Sequence, residues 1–214
     1  MAKAESATKP KMILATLDLL RGSGLSGAGI NNIVAASGAP KGSIYHFFPT
    51  GKHALVTAAL RQAEQVIGQA FRTIFSQSVP VAQKVRTLFD TTAERMQAND
   101  FMKGCPVAAV TLDIDVASED LRALCGAVFG TWRDIIASGL NDVPPSERNN
   151  VAQLILAALE GALVLARAQA APDSLTETGA LLATTLTRAL QQPRDDGHVP
   201  KRAGARRSAG RSQS

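Results

Sequence analysis

The chain has 214 residues, a net charge of +5 and 45% apolar residues. This size allows one larger domain or two small ones with a buried core. Aromatic residues make up only 4% of the chain and few segments alternate as strands do, so we predict an all-α protein. Two cysteines are too few for a disulfide framework. Residues 1–11 lack the apolar run of a signal peptide, so we expect a cytoplasmic location.

The charge is uneven along the chain. Residues 1–52 hold six Lys and Arg against two Asp and Glu, a net charge of +4. Residues 53–192 carry −3, and residues 193–214 carry +4. A basic N-terminal part on an acidic body is typical of a DNA-binding module attached to another domain. The alternative is that a short basic segment is simply solvated.

Two short helices separated by a glycine turn are predicted in the basic N-terminal part. Ile30, Ile33 and Val34 have the i, i+3, i+4 spacing of one helix face. Gly38 can take the left-handed conformation that ends a helix, and Pro40 suits the start of the next. Together these features predict a helix-turn-helix.

The second of these helices is expected to turn polar side chains outward. Ile44, Phe47 and Phe48 would face inward, and the outer face would carry groups that bond phosphates and base edges. The alternative is a solvated polar face. The predicted DNA-binding residues are Lys41, Gly42, Ser43, Tyr45, His46 and Lys52.

The segment from Lys41 to Phe48, followed by Lys52 and Leu55, resembles the end of the DNA-binding domain of the TetR family. That family has Gly, a small hydroxyl residue, an aliphatic residue, Tyr, a variable residue and Phe, and then Lys. The resemblance covers roughly residues 10–57. The apolar face of the family's first helix is matched by Ile13, Leu14, Leu17 and Leu20.

The resemblance implies roles for the outward residues. Tyr45 and Lys52 would bind phosphates, whereas Lys41 and His46 can reach base edges. Gly42 would leave room where its helix meets the DNA backbone or the first helix. The sequence departs from the family at Gly29, where Thr or Ser is usual as the helix cap.

A second departure from the family is Val34, which replaces the usual Ala. A third is the linker at residues 49–52, which is one residue longer than the commonest form and resembles that of the LmrA/YxaF-like subgroup. That linker, together with the segment at residues 104–110, carries the subgroup resemblance. It implies an aromatic, drug-like or flavonoid-like effector.

The remaining helices follow from apolar periodicity and from capping or breaking residues. About nine helices are expected, the first from Pro10 to Arg21 and a long fourth from near Gly51 to Phe75. The predicted parts are a disordered N-terminus at 1–9, a helix-turn-helix DNA-binding domain at 10–52, a ligand-binding and dimerisation domain at 53–192, and a disordered basic tail at 193–214. The tail can add sequence-independent attraction to DNA, or it can merely aid solubility.

The segment from Leu154 to Ala171 is strongly apolar but is interrupted by Glu160 and Arg167. Each charge at the centre of a membrane span costs about 2.5–3.5 kcal/mol, so we expect no membrane insertion. A bundle helix with small residues explains the composition better, and the family resemblance implies that the last two helices pair across a two-fold axis. The predicted homodimer interface contains Leu154, Ala157, Ala158, Gly161, Ala162, Leu182 and Leu186.

The body could also enclose a small hydrophobic or aromatic ligand. Met and aromatic side chains suit an adaptable apolar pocket, although such residues also form ordinary core. The candidate ligand-binding residues are Phe89, Met96, Met102, Cys105, Phe129 and Trp132. No catalytic, metal-binding or cofactor motif is present in the sequence, so no enzyme is expected.

These observations predict a ligand-responsive DNA-binding regulator. It would be a homodimeric repressor of a near-palindromic operator, released by a small hydrophobic molecule. An architectural DNA-binding protein without a ligand is the alternative, and a helical enzyme is a third possibility that the lack of convergent catalytic residues opposes.

Overall fold

A computed structural model describes residues 2–115 and 118–192, with side chains from Thr8 onward. Within these residues the regular structure consists of nine α-helices without strands, which confirms the predicted all-α fold. The helices are α1 (Ala2–Gly27), α2 (Ile30–Ser37), α3 (Lys41–Phe47), α4 (Lys52–Phe75), α5 (Val81–Gln97), α6 (Pro106–Asp113), α7 (Glu119–Ser138), α8 (Arg148–Gln169) and α9 (Asp173–Gln191). The predicted basic tail at 193–214 lies outside the described residues.

The first helix is longer at both ends than the sequence suggested. It begins at Ala2, so the prediction of disorder for residues 1–9 is wrong from Ala2 onward. Ala, Lys and Glu dominate this segment and favour helix, and Pro10 lies inside the helix. At the other end, Gly24 breaks the helical geometry with φ 65° and ψ −165°. Such a positive φ is accessible mainly to glycine.

Two hydrophobic clusters share helix α4. The smaller cluster joins α1, α2, α3 and the start of α4, and it includes Ile33, Ile44 and Leu55. The next residue, Val56, already belongs to the larger cluster, which fills the body. Consecutive residues of one helix therefore enter both cores. This helix can transmit a rigid displacement between the two parts.

The body is a bundle in which α5 packs on α9, α4 on α7, and α8 on both α7 and α9. A buried lysine fastens this bundle. Lys84 is only 2% exposed, and its Nζ donates to the carbonyls of Phe75 (3.0 Å) and Gly139 (2.8 Å). It therefore ties α5 to the ends of α4 and α7 and satisfies carbonyls that lack partners at helix ends.

Helix α8 is long and apolar enough to cross a membrane by length and composition alone, a test that core helices also pass. One of its faces lies in the core of the bundle through Ile155, Leu159 and Ala166. Its opposite face remains exposed and includes Leu154 and Val164.

Candidate DNA-binding surface and ligand cavity

The turn between α2 and α3 has the geometry that its residues predict. Gly38 adopts φ 64° and ψ 14°, and its N–H donates to the carbonyl of Val34 at 3.0 Å. Pro40 has an extended backbone and immediately precedes Lys41, the first residue of α3. The turn thus closes one helix and begins the next within three residues, which fixes the orientation of α3.

Helix α3 separates its apolar and polar residues as predicted. Ile44 is fully buried, and Phe48 directly after the helix is also buried. Tyr45 is 55% exposed on the opposite side. The other outward residues are Lys41, Gly42, His46 and the partly exposed Ser43. The result is an uncovered face that carries a cation, a hydroxyl, a phenol and an imidazole, groups that can bond phosphates and base edges.

The steric role predicted for Gly42 is wrong as far as the first helix is concerned. A Cβ atom built at Gly42 meets no other atom within 4 Å. The glycine is therefore not required by packing inside the chain. Its role toward the DNA backbone stays a prediction.

Lys52 is not a freely exposed lysine. Its Nζ donates to the carbonyl of Leu25 at 2.6 Å, and the residue is partly buried. This bond ties the start of α4 to the end of α1. Lys52 therefore links α4 to α1. Its contact with a phosphate stays a prediction.

The same end of α1 is also bound by the body. Asp113, the last residue of α6, accepts a hydrogen bond from the Leu25 N–H at 2.7 Å through Oδ2. Arg167 of α8 donates through Nη2 to the carbonyl of Gly22 at 2.6 Å. The segment after Arg21 is therefore held by the body on one side and by Lys52 on the other. No local sequence pattern indicates these contacts, because the partners lie 88 and 145 residues apart.

A cavity of about 340 Å³ lies in the body beside this segment. Residues of α1, α4, α5, α7 and α8, of the loop before α6 and of the start of α6 surround it. The lining consists of Leu17, Arg21, Ala63, Val66, Ile67, Phe71, Thr92, Arg95, Met96, Asn99, Lys103, Gly104, Cys105, Pro106, Trp132, Leu159, Glu160 and Leu163. Its size and its largely apolar character suit a small organic molecule.

Three of the six candidate ligand-binding residues, Met96, Cys105 and Trp132, line this cavity. The other three do not line this cavity, and their contact with a ligand stays a prediction.

Phe89 is buried in the core, where a Cβ added at Gly179 would lie 2.5 Å from the Phe89 Cβ. Met102 is 61% exposed, and Phe129 packs edge-on against Trp132 with 5.7 Å between ring centroids. The sequence could identify apolar residues of the body but could not tell which of them border a void.

The aromatic wall of the cavity is held in place by a hydrogen bond and a ring contact. Trp132 donates through Nε1 to the carbonyl of Glu64 at 3.2 Å, and its ring meets Phe71 edge-on at 5.9 Å between centroids. Both rings line the cavity. A bound molecule would therefore meet aromatic surfaces already held in place.

Glu160 is a site residue that the sequence pattern marks only as an interruption of an apolar stretch. Its Oε2 atom is closed off from solvent and has no hydrogen-bond partner. Burial raises the pKa of this carboxyl to about 7, and a hydrogen bond with Cys105 partly opposes the shift. Burial also raises the pKa of the Cys105 thiol, and the charge of Glu160 raises it further. The thiol therefore stays protonated, which opposes a redox function.

The predicted dimer residues divide between the surface and the core. Leu154, Ala157 and Gly161 are exposed, while Ala158 and Leu182 are partly buried. These five include the outward stripe of α8, where Gly161 has open space at its Cβ position.

Two members of the predicted interface belong to the chain's own core instead. Ala162 is only 2% exposed and Leu186 only 7%. Ala162 follows Gly161 in sequence, but successive residues of a helix are rotated by about 100° about its axis. The side chain of Ala162 therefore points toward the core. Leu181, which is 70% exposed, extends the apolar surface on α9.

In the part of the chain that the structure describes, no group of three or more His, Cys, Asp or Glu residues could hold a metal ion.

Comparison with known proteins gives two family matches. The model of bacterial regulatory proteins of the tetR family matches residues 13–59, and that of the LmrA/YxaF-like transcriptional regulator C-terminal domain matches residues 81–181. The transcriptional regulator YxaF of Bacillus subtilis (strain 168) is 30% identical over 160 residues, which cover 74% of this chain and 84% of YxaF.

Solved structures show the same fold. Regulatory protein TetR from Rhodobacter sphaeroides has a TM-score of 0.75 at 22% identity and covers 83% of this chain and 97% of its own. A cysteine mutant of the TetR-family regulator CifR, solved with a 26 bp operator DNA, has a TM-score of 0.70 at 20% identity, covering 82% of this chain and 94% of CifR.

Proposed function

Since this chain belongs to the TetR family of bacterial transcriptional regulators, in its LmrA/YxaF-like group, we propose that it is a homodimeric repressor that a small hydrophobic molecule releases from its operator. The chain is a DNA-binding transcriptional regulator and not an enzyme. The repressor role, the effector, the dimer and a cytoplasmic location form the proposal.

The exposed polar face of α3 is the observation that carries the proposed operator binding. Because the inner face of this helix is anchored by Ile44, the outer face can enter a major groove without unfolding the core. Tyr45 and Lys41 lie on that face. Two such helices in a symmetric dimer would read half-sites about 34–36 Å apart, and the operator would be near-palindromic. CifR, which shares the fold, has been solved with operator DNA.

The apolar outer face of α8 and α9 supports the homodimer. Leu154, Val164, Leu165 and Leu181 are each more than half exposed in the single chain. Large exposed apolar surfaces commonly mark protein interfaces. Gly161 lies on the same face, where its lack of a side chain allows two helices to approach closely.

The position of the cavity supports a response to a ligand. Its lining includes Arg21 and Gly104, which are joined by a backbone hydrogen bond of 3.1 Å. The following residues of α1 are held by Asp113 and by Lys52. A ligand that favours a displaced end of α1 would shift the DNA-binding part toward a spacing that no longer fits the operator.

Titration of the full chain against DNA flanking its own gene tests this proposal. Fluorescence anisotropy should show binding that exceeds binding to scrambled DNA, and a hydrophobic compound that binds the cavity should weaken it. Equal affinity for all sequences, without any effect of compounds, would instead support the architectural alternative.

A further inference from the structure

The cavity contains an acidic side chain without a cationic partner. Glu160 lies in its lining, and the Oε2 atom of this carboxylate is neither hydrogen-bonded nor in contact with solvent. A buried ionised carboxylate without a partner is costly, so a compensating cation would stabilise it. Along α8 the nearest cation on the same face is Arg167, seven residues further on, and its guanidinium donates to the carbonyls of Arg21 and Gly22 instead.

The charged groups around the cavity do not compensate Glu160. Arg21 comes from α1, Arg95 from α5 and Lys103 from the loop before α6, while α4 and α7 contribute only uncharged side chains to the lining. Lys103 pairs with Asp18 at 2.7 Å. The pKa of Glu160 is set by burial and by the Cys105 thiol, without a contribution from any of these cations.

The rest of the lining also suits a cation with an apolar body. The rings of Phe71 and Trp132 both face the cavity region, and aromatic faces attract organic cations. The thiol of Cys105 is protonated, so it offers Glu160 only a weak neutral donor. The Oε2 atom of Glu160 is therefore a strong hydrogen-bond acceptor that is open to a donor from a ligand.

We propose that this cavity binds an organic monocation, an apolar ring system carrying a protonated amine that pairs with the carboxylate of Glu160. This assignment rests on the proposed function, since it names the chemical class of the effector. The ring system would lie against Trp132, and the ammonium group would neutralise the buried acid.

Binding of such a cation would be linked to a proton. The carboxyl of Glu160 has a pKa of about 7 in the free protein, whereas the bound cation favours the ionised form. Ligand binding therefore releases a proton below that pH. The affinity for an amine that stays protonated should rise about tenfold from about pH 6 to about pH 8, because the ionised fraction of Glu160 rises by that factor.

Three probes with the same naphthalene ring test this assignment by calorimetry on the full chain: naphthylmethylamine, naphthylmethanol and naphthoic acid. The amine should bind at least about tenfold more tightly than the alcohol, as a charge-assisted hydrogen bond replaces a neutral one. Glu160→Gln should remove this advantage and the pH dependence, while the affinity for the alcohol changes less than about threefold. Glu94→Gln, which removes the same charge from the exposed face of α5, is the matched control and should leave the amine affinity unchanged.

The assignment is overturned if the amine does not bind, if the alcohol or the acid binds as tightly, or if Glu160→Gln leaves the amine affinity unchanged. Operator binding separates this result from the proposed function. If the amine binds through Glu160 without weakening operator binding, the cation site stands and the effector role fails. If another compound releases the operator while the amine does not bind, the effector role stands and the cation site fails.

Discussion

Replacing Glu160 with Gln should stabilise the protein, and the gain should grow with pH. The folded state raises the pKa of this carboxyl from an ordinary value of 4.5 to about 7. At a pH between these two pKa values, the Glu160 carboxyl is largely ionised in the unfolded chain but still largely protonated in the folded chain. The stability of the natural protein therefore falls as pH rises through this window and stays low above it.

The size of the expected stability change follows from the shift in the pKa of Glu160. A difference of about 2.5 pK units, at 1.36 kcal/mol each, is about 3 kcal/mol of lost stability above pH 7. Gln has a similar shape and no charge, so Glu160→Gln avoids this cost. Below about pH 4.5, Glu160 is protonated in both the folded and the unfolded natural protein. The stability difference between the variant and the natural protein should then contain no contribution from the ionisation of Glu160.

Urea unfolding followed by circular dichroism measures this difference. Both proteins are unfolded at several values between about pH 4.5 and about pH 8, at one fixed protein concentration because dimer formation shifts apparent stability. The stability difference should increase by about 3 kcal/mol across this range. Glu94→Gln should show no such increase, since Glu94 is exposed. A difference that stays constant with pH would mean that the Glu160 carboxylate is hydrated or paired, and the reasoning would be refuted.

Further substitutions test other parts of the structure. Tyr45→Phe should weaken binding of all DNA sequences alike in anisotropy titrations, because it removes a phosphate contact; a changed operator preference would contradict that role. Lys52→Ala should do the same with a shallower salt dependence, and it should also lower the melting temperature through the lost bond to α1. Gly161→Leu should give monomers in sedimentation without destabilising the single chain, since its Cβ position is open; an unchanged dimer would place the interface elsewhere. Gly179→Ala should cost about 1–3 kcal/mol in urea unfolding by pressing on α5, whereas Gly126→Ala, with nothing nearby, should be neutral or stabilising; equal effects would contradict the packing.

The DNA-binding part could be predicted well because its determinants are local. Ile44 and Phe48 are apolar at helical spacing, and Gly38 takes the left-handed conformation that its position indicates. Each of these features depends on residues within a few positions along the chain. The same holds for most helix bounds in the body, where proline and glycine residues interrupt apolar periodicity.

The interior of the body could not be predicted in the same way. Lys84 has the sequence context of a surface lysine, and its burial depends on the carbonyl of Gly139, 55 residues away. In the sequence, Glu160 is visible only as an interruption of an apolar helix. Its importance arises from the cavity that six helices and a loop form together. Local patterns specify which residues are apolar, but not where packing leaves a void or an uncompensated charge.

The connection between cavity and DNA-binding part depends on polar contacts at the end of α1. Gly24 breaks that helix, so the residues after it are held by hydrogen bonds rather than by helical geometry. Asp113 and Lys52 bind the N–H and the carbonyl of the same residue, Leu25, from opposite parts of the molecule. A displacement of α6 would therefore act on Leu25, the residue whose carbonyl also binds Lys52 at the start of α4. Because α4 enters both hydrophobic cores, we expect a displacement of its start to be passed on to α3.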